Sequence, residues 1–336
     1  MGEAPRRTST LASRQSLSPF QQGLFMDLDY RTLYQRNYGV FSESEQQRIR
    51  HTRVLIIGDT GSGEMISVIL ARSGIEQFII SGEGVYVPSD MNRQICCFSE
   101  TIGRNKVAQI RDTILSINPN SKVMAYGHLP SEKEVNRLVL EADIVIPAVE
   151  DLSFSILLFR AARRHRKPAV LCMPSGSMGW VSIFKETGPT VEEVFGIPRI
   201  DYEGLRRVMH SIEYRCAQYN FITAGDWRVD WFWEYFKGNR PLALFCPVEW
   251  MLASLAALET LKLASGKWKP KEAPRCWYVR KGMVSASRFS RFVRYHRRLG
   301  WLIFGSWIGR RLHRQTFWFW KRFFGYLRVR QNGRKG

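Results

Sequence analysis

The sequence predicts an α/β fold with a doubly wound, mostly parallel β-sheet. Two observations carry this prediction. Short β-branched and aliphatic runs alternate with segments of helical periodicity along most of the chain, and the first such run ends in a glycine-rich turn that opens a helix. Parallel strands that are buried on both faces read as continuous apolar runs, and strand–helix alternation is typical of right-handed crossovers between parallel strands.

Each element of this fold has its own signal in the sequence. The predicted strands are short apolar runs and cover residues 53–58, 76–81, 122–126, 143–148, 168–172, 180–184 and 276–279. The predicted helices repeat apolar residues every three or four positions and cover residues 64–73, 106–117, 131–141, 152–166 and 247–265. The alternation as a whole predicts a Rossmann-like sheet, whose ligand site lies where the strand order reverses.

Composition divides the chain into three parts. Residues 1–28 are polar and rich in Ser and Arg, and we expect them to be disordered because they have little apolar surface to bury. Residues 29–280 contain the predicted strands and helices and form one domain, with a less regular insertion over residues 186–245 that is rich in Pro, Gly and aromatic residues. Residues 281–336 form a basic aromatic tail, predicted as a helical extension of the domain.

The basic tail accounts for most of the charge of the protein. The formal net charge is +20, and residues 281–336 contain fifteen Lys and Arg and no Asp or Glu, so the first 280 residues carry only +5. Arginines alternate with aromatic residues, a composition typical of segments that lie on anionic membrane surfaces. The apolar clusters 301–304 and 317–320 also fit a protein partner or the surface of the domain itself. These clusters have more apolar surface than contacts with phosphate groups need, so nucleic acid is a less favoured partner.

The cysteines and the apolar runs indicate the compartment. None of the six cysteines forms a C-x-x-C pair, so a zinc site is not expected, and we predict a reducing, cytoplasmic environment. Cys216, in the insertion, is better explained as a structural cysteine than as a nucleophile. No apolar leader opens the chain, and the uncharged apolar run 299–309 is shorter than the about 20 residues that span a bilayer. Any membrane association is expected through the tail.

A glycine-rich loop, residues 58–63 (GDTGSG), joins the first predicted strand to the first predicted helix. Glycines let the backbone approach a ligand and the helix N-terminus supplies N–H donors, so the position favours a phosphate-binding turn over a tight turn that binds nothing. The predicted nucleotide-binding residues of this glycine loop are Gly58, Gly61 and Gly63. Asp59 and Glu64 are unfavourable beside a phosphate unless a metal or a cationic side chain offsets their charge.

The spacing of the glycine loop argues against a nicotinamide dinucleotide as the first choice. It reads G-x-x-G-x-G, whereas the dinucleotide fingerprint is G-x-G-x-x-G. A dinucleotide site also needs an acidic residue at the end of the second strand to hold the ribose. That strand ends with residues 81–84 (SGEG), so Glu83 is the candidate, and an NAD-dependent oxidoreductase is an alternative of lower rank.

Other sequence blocks follow one another in a fixed order around the loop. In chain order they are residues 34–37 (YQRN), 45–49 (EQQRI), 89–94 (SDMNRQ), 102–106 (IGRNK), 117–119 (INP), 148–151 (AVED) and 254–262 (SLAALETLK). Together with the glycine loop, this ordered set resembles the signatures of the ThiF/MoeB (HesA/MoeB/ThiF, ubiquitin-activating-enzyme-like) superfamily. The resemblance covers residues 30–185 well and residues 240–280 more loosely.

The resemblance implies a reaction and the residues that perform it. A carboxylate, such as the C-terminus of a ubiquitin-like small protein, reacts with ATP in the presence of Mg²⁺ to give an acyl-adenylate and pyrophosphate. By resemblance, the residues that contact or place the phosphates are Arg93, Lys106 and Asn92, and the residues that hold magnesium are Glu150 and Asp151. Arg36 matches a catalytic arginine that reaches into the site of a partner subunit, which implies a homodimer.

The chain departs from the family pattern at several positions. The departures are Thr60 for a loop glycine, Gly82 for the ribose-binding aspartate, Gly84 for the next acid, Asp90 for an asparagine, Glu150 for the magnesium-binding aspartate and residues 190–193 for a zinc-binding C-x-x-C. Either Glu83 replaces the missing ribose ligand or the site is degenerate. Two functions therefore stand beside the adenylyltransferase: a non-catalytic nucleotide-binding scaffold and the lower-ranked oxidoreductase.

Overall fold

The structure, a computed structural model, describes residues 28–209 and 225–288. Within these residues an eight-stranded sheet forms the centre of the fold. Its strands are β1 (Arg53–Ile57), β2 (Gln77–Ser81), β3 (Lys122–Tyr126), β4 (Ile144–Pro147), β5 (Ala169–Ser175), β6 (Met178–Phe184), β7 (Arg275–Arg280) and β8 (Met283–Arg288).

Helices cover both faces of this sheet. In the described part of the chain they are α1 (Tyr30–Leu33), α2 (Glu43–His51), α3 (Gly61–Arg72), α4 (Lys106–Ile117), α5 (Glu132–Glu141), α6 (Leu152–Arg164), α7 (Val191–Phe195), α8 (Tyr202–Met209), α9 (Val229–Phe236) and α10 (Cys246–Ser265). Short 3₁₀ helices are formed by Gln35–Gly39, Pro88–Asp90 and Ser99–Thr101.

Strands β1 to β5 form the parallel part of the sheet, in the order β3-β2-β1-β4-β5. The chain moves outward from β1 through β2 and β3, then returns past β1 to β4 and β5, so the order reverses between β1 and β4. This confirms the doubly wound, Rossmann-like arrangement predicted from the sequence. Ile57 pairs with Ser81 of β2 and with Pro147 of β4, so these three strands end at one edge. Ligands of open α/β sheets bind at this edge, beside the reversal.

Strands β6, β7 and β8 extend the sheet beyond β5 as antiparallel neighbours. Gly176, with a φ of +57°, lies in the turn between β5 and β6. Strand β7 contains the run predicted at residues 276–279. Strand β8 lies beyond residue 280, so the sheet continues into the segment that the sequence predicts as tail. The residues of β8 are almost all exposed, so its sequence has no buried alternation, and pairing with β7 defines the strand.

The core lies on both faces of the sheet. Alternate residues of β1 point to opposite faces: Leu55 and Ile57 pack with α5 and α6, whereas Val54 and Ile56 pack with α3, α4 and α10. All four side chains have no exposed surface. Burial on both faces explains why β1 reads as an uninterrupted apolar run. Helix α10 packs against α3, β5 and β6, which brings its first turn close to the glycine loop.

The insertion and the two ends of the chain were also predicted from the sequence. The segment 186–245, predicted to be less regular, contains the short helices α7, α8 and α9 among its described residues. Residues 1–27, 210–224 and 289–336 lie outside the described residues, and with them lie the predicted disordered N-terminus, Cys216 and most of the predicted helical tail. Over the described ranges, no helix is both long enough and apolar enough to cross a membrane.

Candidate functional site

The glycine loop lies at the edge of the sheet where β1, β2 and β4 end. Gly58 has a φ of +111°, and a Cβ atom on it would lie 2.0 Å from the carbonyl oxygen of Ala148, directly after β4. A Cβ atom on Gly63 would lie 2.6 Å from the Cβ atom of Ala148. The close approach of the loop to the end of β4 therefore requires both glycines. The loop occupies the point where the strand order reverses.

The N-terminus of α3 opens from this loop. Thr60 is the N-cap residue of α3, but its side chain accepts no hydrogen bond from the backbone N–H groups of the first turn. The first N–H groups of a helix have no partner within the helix, and with the helix dipole they attract anions. The carboxylate of Glu249, in the first turn of α10, lies close enough to the N–H of Ser62 for this group to lower its pKa. A protein carboxylate thus lies at the position where a phosphate is expected.

Glu249 belongs to the site although the sequence analysis does not single it out. Its side chain is 1% exposed, and its Oε2 lies 3.5 Å from Nε of Arg93; neither atom makes a hydrogen bond within the described residues. Burial raises the pKa of Glu249 to about 7, although Arg93 and the Ser62 N–H oppose this shift. The charges of Glu150 and Glu64 raise the pKa further. An acid in the first turn of a helix rich in Leu and Ala is the signal that could have identified it.

The two predicted phosphate-binding cations, Arg93 and Lys106, meet at Asp90. Nζ of Lys106 lies 2.9 Å from Oδ2 of Asp90, and Nη2 of Arg93 lies 3.5 Å from Oδ1. Asp90 is buried, and it also accepts hydrogen bonds from the Val87 N–H and the Gln94 side-chain amide. The side chains of Arg93 and Lys106 are 14% and 11% exposed. The acid at the family's asparagine position therefore acts as the counter-ion that orients both cations.

A helix cap and two hydrogen bonds fix the positions of Lys106 and Arg93 in the site. Lys106 is the first residue of α4, because the side chain of Asn105 caps that helix. The N–H of Lys106 donates to the carbonyl of Gly84 at 2.9 Å, which ties α4 to the segment after β2. The indole N–H of Trp250 donates to the carbonyl of Arg93 at 2.7 Å, which ties the Arg93 segment to α10.

The two carboxylates that the sequence analysis places beside the phosphate site, Asp59 and Glu64, have partners elsewhere. Glu64 is fully buried and accepts hydrogen bonds from the Tyr86 hydroxyl at 2.9 Å and from the N–H of Cys96. Burial raises the pKa of Glu64, which favours its uncharged form. Asp59 is half-buried, and its Oδ2 accepts a hydrogen bond from the N–H of Gly84 at 2.6 Å.

Asn92 and Glu83 lie at the exposed margin of the site. Oδ1 of Asn92 accepts a hydrogen bond from Nη1 of Arg93 at 3.0 Å, so Asn92 helps to orient this cation. Glu83, the predicted ribose ligand, is exposed directly after β2. Its role in ribose binding stays a prediction.

Arg36 lies away from the other predicted residues. It is in the 3₁₀ helix Gln35–Gly39, and the Asn37 side chain of that helix donates to the carbonyl of Ser73, at the C-terminal end of α3. The glycine loop is at the other end of this twelve-residue helix, a distance of about 18 Å at 1.5 Å per residue. Within one chain Arg36 therefore does not join the site, and its role through a partner subunit stays a prediction.

Glu150 and Asp151, the predicted magnesium ligands, follow β4 at the same edge of the sheet. Asp151 is the N-cap of α6, and its Oδ1 accepts a hydrogen bond from the Ser153 N–H at 2.8 Å. Glu150 is exposed beside it. Across residues 28–209 and 225–288, no group of three or more His, Cys, Asp and Glu side chains is arranged to hold a metal ion. Magnesium that binds with a nucleotide uses one or two protein carboxylates together with phosphates and water, and Glu150 fits that donor set.

The ThiF family model matches residues 34–292, a range that includes the glycine loop and every site residue named above. The chain belongs to the ThiF family. This finding confirms the resemblance drawn from the ordered sequence blocks.

Named relatives of this ThiF-family chain include both HesA proteins and adenylyltransferases. Protein HesA of Leptolyngbya boryana is 27% identical over 232 residues, which are 68% of this chain and 70% of the relative. The probable adenylyltransferase/sulfurtransferase MoeZ of Mycobacterium tuberculosis is 28% identical over 144 residues, which are 43% of this chain and 37% of the relative.

Solved structures show the same ThiF fold. The crystal structure of E. coli MccB with ATP has a TM-score of 0.59 and 18% identity, and the match covers 77% of this chain and 71% of that chain. The crystal structure of PaaA has a TM-score of 0.58 and 19% identity, and the match covers 81% of this chain and 75% of that chain. At these identities the likeness establishes the fold and no further property.

Proposed function

We propose that the chain is an ATP- and Mg²⁺-dependent adenylyltransferase that activates a carboxylate as an acyl-adenylate. The observation that carries the proposal is the meeting of the glycine loop with two largely buried cations where the strand order reverses. Arg93 and Lys106 are held in place by Asp90. Cations that are oriented before the reaction stabilise developing negative charge without reorganising. The name of the MoeZ relative, a probable adenylyltransferase, supports the same class of reaction.

In the proposed reaction, an oxygen of the substrate carboxylate forms a bond to the α-phosphorus of ATP. The bond from that phosphorus to the oxygen bridging to the β-phosphate breaks, and pyrophosphate leaves with the electron pair. Negative charge grows on the leaving oxygens, and Arg93 and Lys106 stabilise it by donating hydrogen bonds. Nε of Arg93 makes no hydrogen bond among the described residues and lies 3.5 Å from Oε2 of Glu249, so a phosphate that accepts from it would take the place of this ion pair. Magnesium held by Glu150 supplies charge neutralisation when bound.

The carboxylate that we propose as substrate is the C-terminus of a peptide or of a ubiquitin-like small protein. One solved neighbour is described as the microcin C7 biosynthetic enzyme MccB in complex with N-formylated MccA, which supports a substrate of this kind. We also propose a homodimer, because Arg36 lies at the far end of α3 from the glycine loop of its own chain. A second copy of the chain would bring Arg36 to the site.

A second candidate function, a non-catalytic nucleotide-binding scaffold, is favoured by the acids of the site. Asp90 already pairs with both cations, and the carboxylate of Glu249 already lies beside the N–H of Ser62 at the N-terminus of α3. Charged groups that satisfy one another hold the fold together without any bound nucleotide. A protein of this kind would bind a nucleotide and interact with other molecules without consuming ATP.

Calorimetric titration with ATP and Mg²⁺, and in parallel with NADH, distinguishes these functions. Arg93→Ala and Lys106→Ala are each expected to weaken ATP binding about tenfold or more, because each removes a charge-assisted hydrogen bond to phosphate. Lys133→Ala changes an exposed lysine of α5 and is the matched control, with ATP affinity unchanged. Thermal unfolding verifies that each variant is folded.

Each outcome of the titration points to one function. ATP binding that both site variants weaken, together with ATP–pyrophosphate exchange in the presence of the substrate, supports the adenylyltransferase. A folded wild-type protein that binds no ATP contradicts it, and ATP binding without exchange favours the scaffold. NADH binding that Glu83→Ala abolishes, with Arg93→Ala and Lys106→Ala unaffected, would indicate a nicotinamide enzyme.

A further inference from the structure

The carboxylate of Asp59 fills the space that two glycines leave at the end of β2. A Cβ atom built on Gly82 would lie 2.6 Å from Oδ2 of Asp59, and its three nearest atoms all belong to the Asp59 side chain. A Cβ atom built on Gly84 would lie 2.8 Å from Oδ2 and 3.1 Å from Oδ1 of Asp59. Asp59 therefore stands where the side chains of residues 82 and 84 would lie if those residues had them.

A hydrogen bond across the site holds Asp59 in this position. Asp59 is the second residue of the glycine loop, after β1, and its Oδ2 accepts the N–H of Gly84, after β2, at 2.6 Å. A carboxylate has about four acceptor positions on its two oxygens, so this bond leaves capacity for further donors. Asp59 is only half-buried, which keeps part of the carboxylate accessible to a ligand.

We propose that Asp59 binds the ribose of the nucleotide, in place of an acid at the end of β2. The inference rests on the proposed function, because it takes ATP as the ligand of the glycine loop. In nucleotide-binding sheets of this kind, a carboxylate at the end of the second strand accepts hydrogen bonds from the ribose hydroxyls. Here the glycine loop brings a carboxylate to the same place from the neighbouring strand. The glycines at positions 82 and 84 make room for it.

The same geometry shows how the acid can be moved back to β2. The backbone of Gly82 is not in the left-handed region, so its conformation accepts a side chain. The nearest obstacles to that side chain are the atoms of Asp59 itself. The double variant Asp59→Gly/Gly82→Asp removes them and supplies one carboxylate to the same space from the other strand.

The test compares the affinities of ATP and 2′,3′-dideoxy-ATP, each with Mg²⁺, by calorimetry. The wild-type protein is expected to prefer ATP about tenfold or more, the effect of hydrogen bonds to a charged acceptor. Asp59→Ala is expected to bind both nucleotides about equally, and Asp59→Gly/Gly82→Asp is expected to recover the preference. Asp112→Ala removes an exposed acid of α4 that pairs with Arg111, and this matched control keeps the wild-type preference.

Contrary results fall into separate groups. Equal affinity of the wild type for both nucleotides, or a preference for ATP that survives in Asp59→Ala, overturns the assignment and leaves the proposed adenylyltransferase intact. Loss of the preference in Glu83→Ala overturns it in favour of Glu83. Absence of ATP binding to the folded wild type overturns the proposed function as well. If Asp59→Ala does not fold, the wild-type comparison and the double variant still decide.

Discussion

Two carboxylates flank the glycine loop, and their surroundings are opposite. On the β2 side, Asp59 is half-buried and accepts the N–H of Gly84 at 2.6 Å. On the α10 side, Glu249 is 1% exposed, and its Oε2 has no hydrogen-bond partner in the described part of the chain. Burial raises the pKa of Glu249 to about 7. One acid is accessible to a ligand, and the other is held inside the protein.

The difference shows that burial decides what an acid does beside the glycine loop. A half-buried carboxylate such as Asp59 is available to hydroxyl groups of a ligand. A buried carboxylate ionises at a high cost, which the N–H groups at the start of α3 and the guanidinium of Arg93 only partly offset. Changes on the α10 side should therefore alter stability, and changes on the β2 side should alter ligand preference.

The largest effect on stability is expected for Glu249→Gln, a neutral side chain of the same shape. Because folding raises the pKa of Glu249, its favourable contribution is complete below its ordinary pKa near 4.5 and is lost as the pH rises through about 7. At roughly 1.4 kcal/mol per pKa unit, the wild type should lose about 3 kcal/mol of unfolding free energy relative to the variant over this range. Urea unfolding of both proteins at pH 5 and pH 8 measures most of this difference.

Neighbouring charges define the control for this experiment. The charged or titrating groups that interact with Glu249 are Arg93, Glu64, Glu150, Cys172 and Cys246. Glu186→Gln changes an exposed glutamate that pairs with Arg166 and is the control. The difference in unfolding free energy between this variant and the wild type should be the same at pH 5 and at pH 8. If the difference between Glu249→Gln and the wild type is also the same at both pH values, the pKa of Glu249 is not raised by burial.

A smaller effect on stability is expected for Gly61→Ala, which adds a methyl group on the side of the loop that faces α10. The new Cβ atom would lie 2.7 Å from Oε1 of Glu249 and 3.2 Å from Cγ of Arg93. Because Glu249 is buried, it cannot turn into solvent, and overpacking of this kind costs about 2 kcal/mol. Thermal and urea unfolding measure the loss. Gly39→Ala, where a Cβ atom meets nothing within 4 Å, is the control and should stay within about 0.5 kcal/mol.

The smallest effect on stability is expected for Gly82→Ala, the matched change on the β2 side. Its Cβ atom would lie 2.6 Å from Oδ2 of Asp59, as close as the contact made by Gly61→Ala. Asp59 is half-buried, so its carboxylate can rotate into solvent, and only its Cβ atom, 2.9 Å from the new Cβ atom, has to shift with the loop backbone. We therefore expect a loss of about 1 kcal/mol, the value of one hydrogen bond. Urea unfolding beside Gly61→Ala checks the order. A loss for Gly82→Ala that equals or exceeds that of Gly61→Ala would remove the contrast between the two sides.

Local signals explain the parts of the fold that could be predicted. Helix α4 and strand β3 have the predicted bounds, 106–117 and 122–126, because an Asn cap and a short run of apolar and aromatic residues act within a few positions. Strand β8 could not be predicted, because its exposed residues are ordered by pairing with β7 and not by a pattern of their own.

Some residues of the candidate site could likewise be predicted from local sequence, and others could not. Gly58 and Lys106 follow from a strand-to-helix turn and from an ordered motif, both of which are short stretches of sequence. Glu249 lies 156 residues after Arg93 in the chain, so nothing near either residue in the sequence indicates that their side chains approach to 3.5 Å. The position of Asp59 over the glycines at the end of β2 likewise depends on how β1 and β2 pair.

By itself, the sequence determined the strand–helix alternation, the glycine loop and the family to which the chain belongs, because periodicity and motif order are properties of neighbouring residues. Only the tertiary structure decided which charges meet: Asp90 with two cations, Glu249 with the start of α3, and Asp59 with the end of β2. The physical reason is that electrostatic energies depend on distance and burial, and folding sets both for residues that are far apart in the chain.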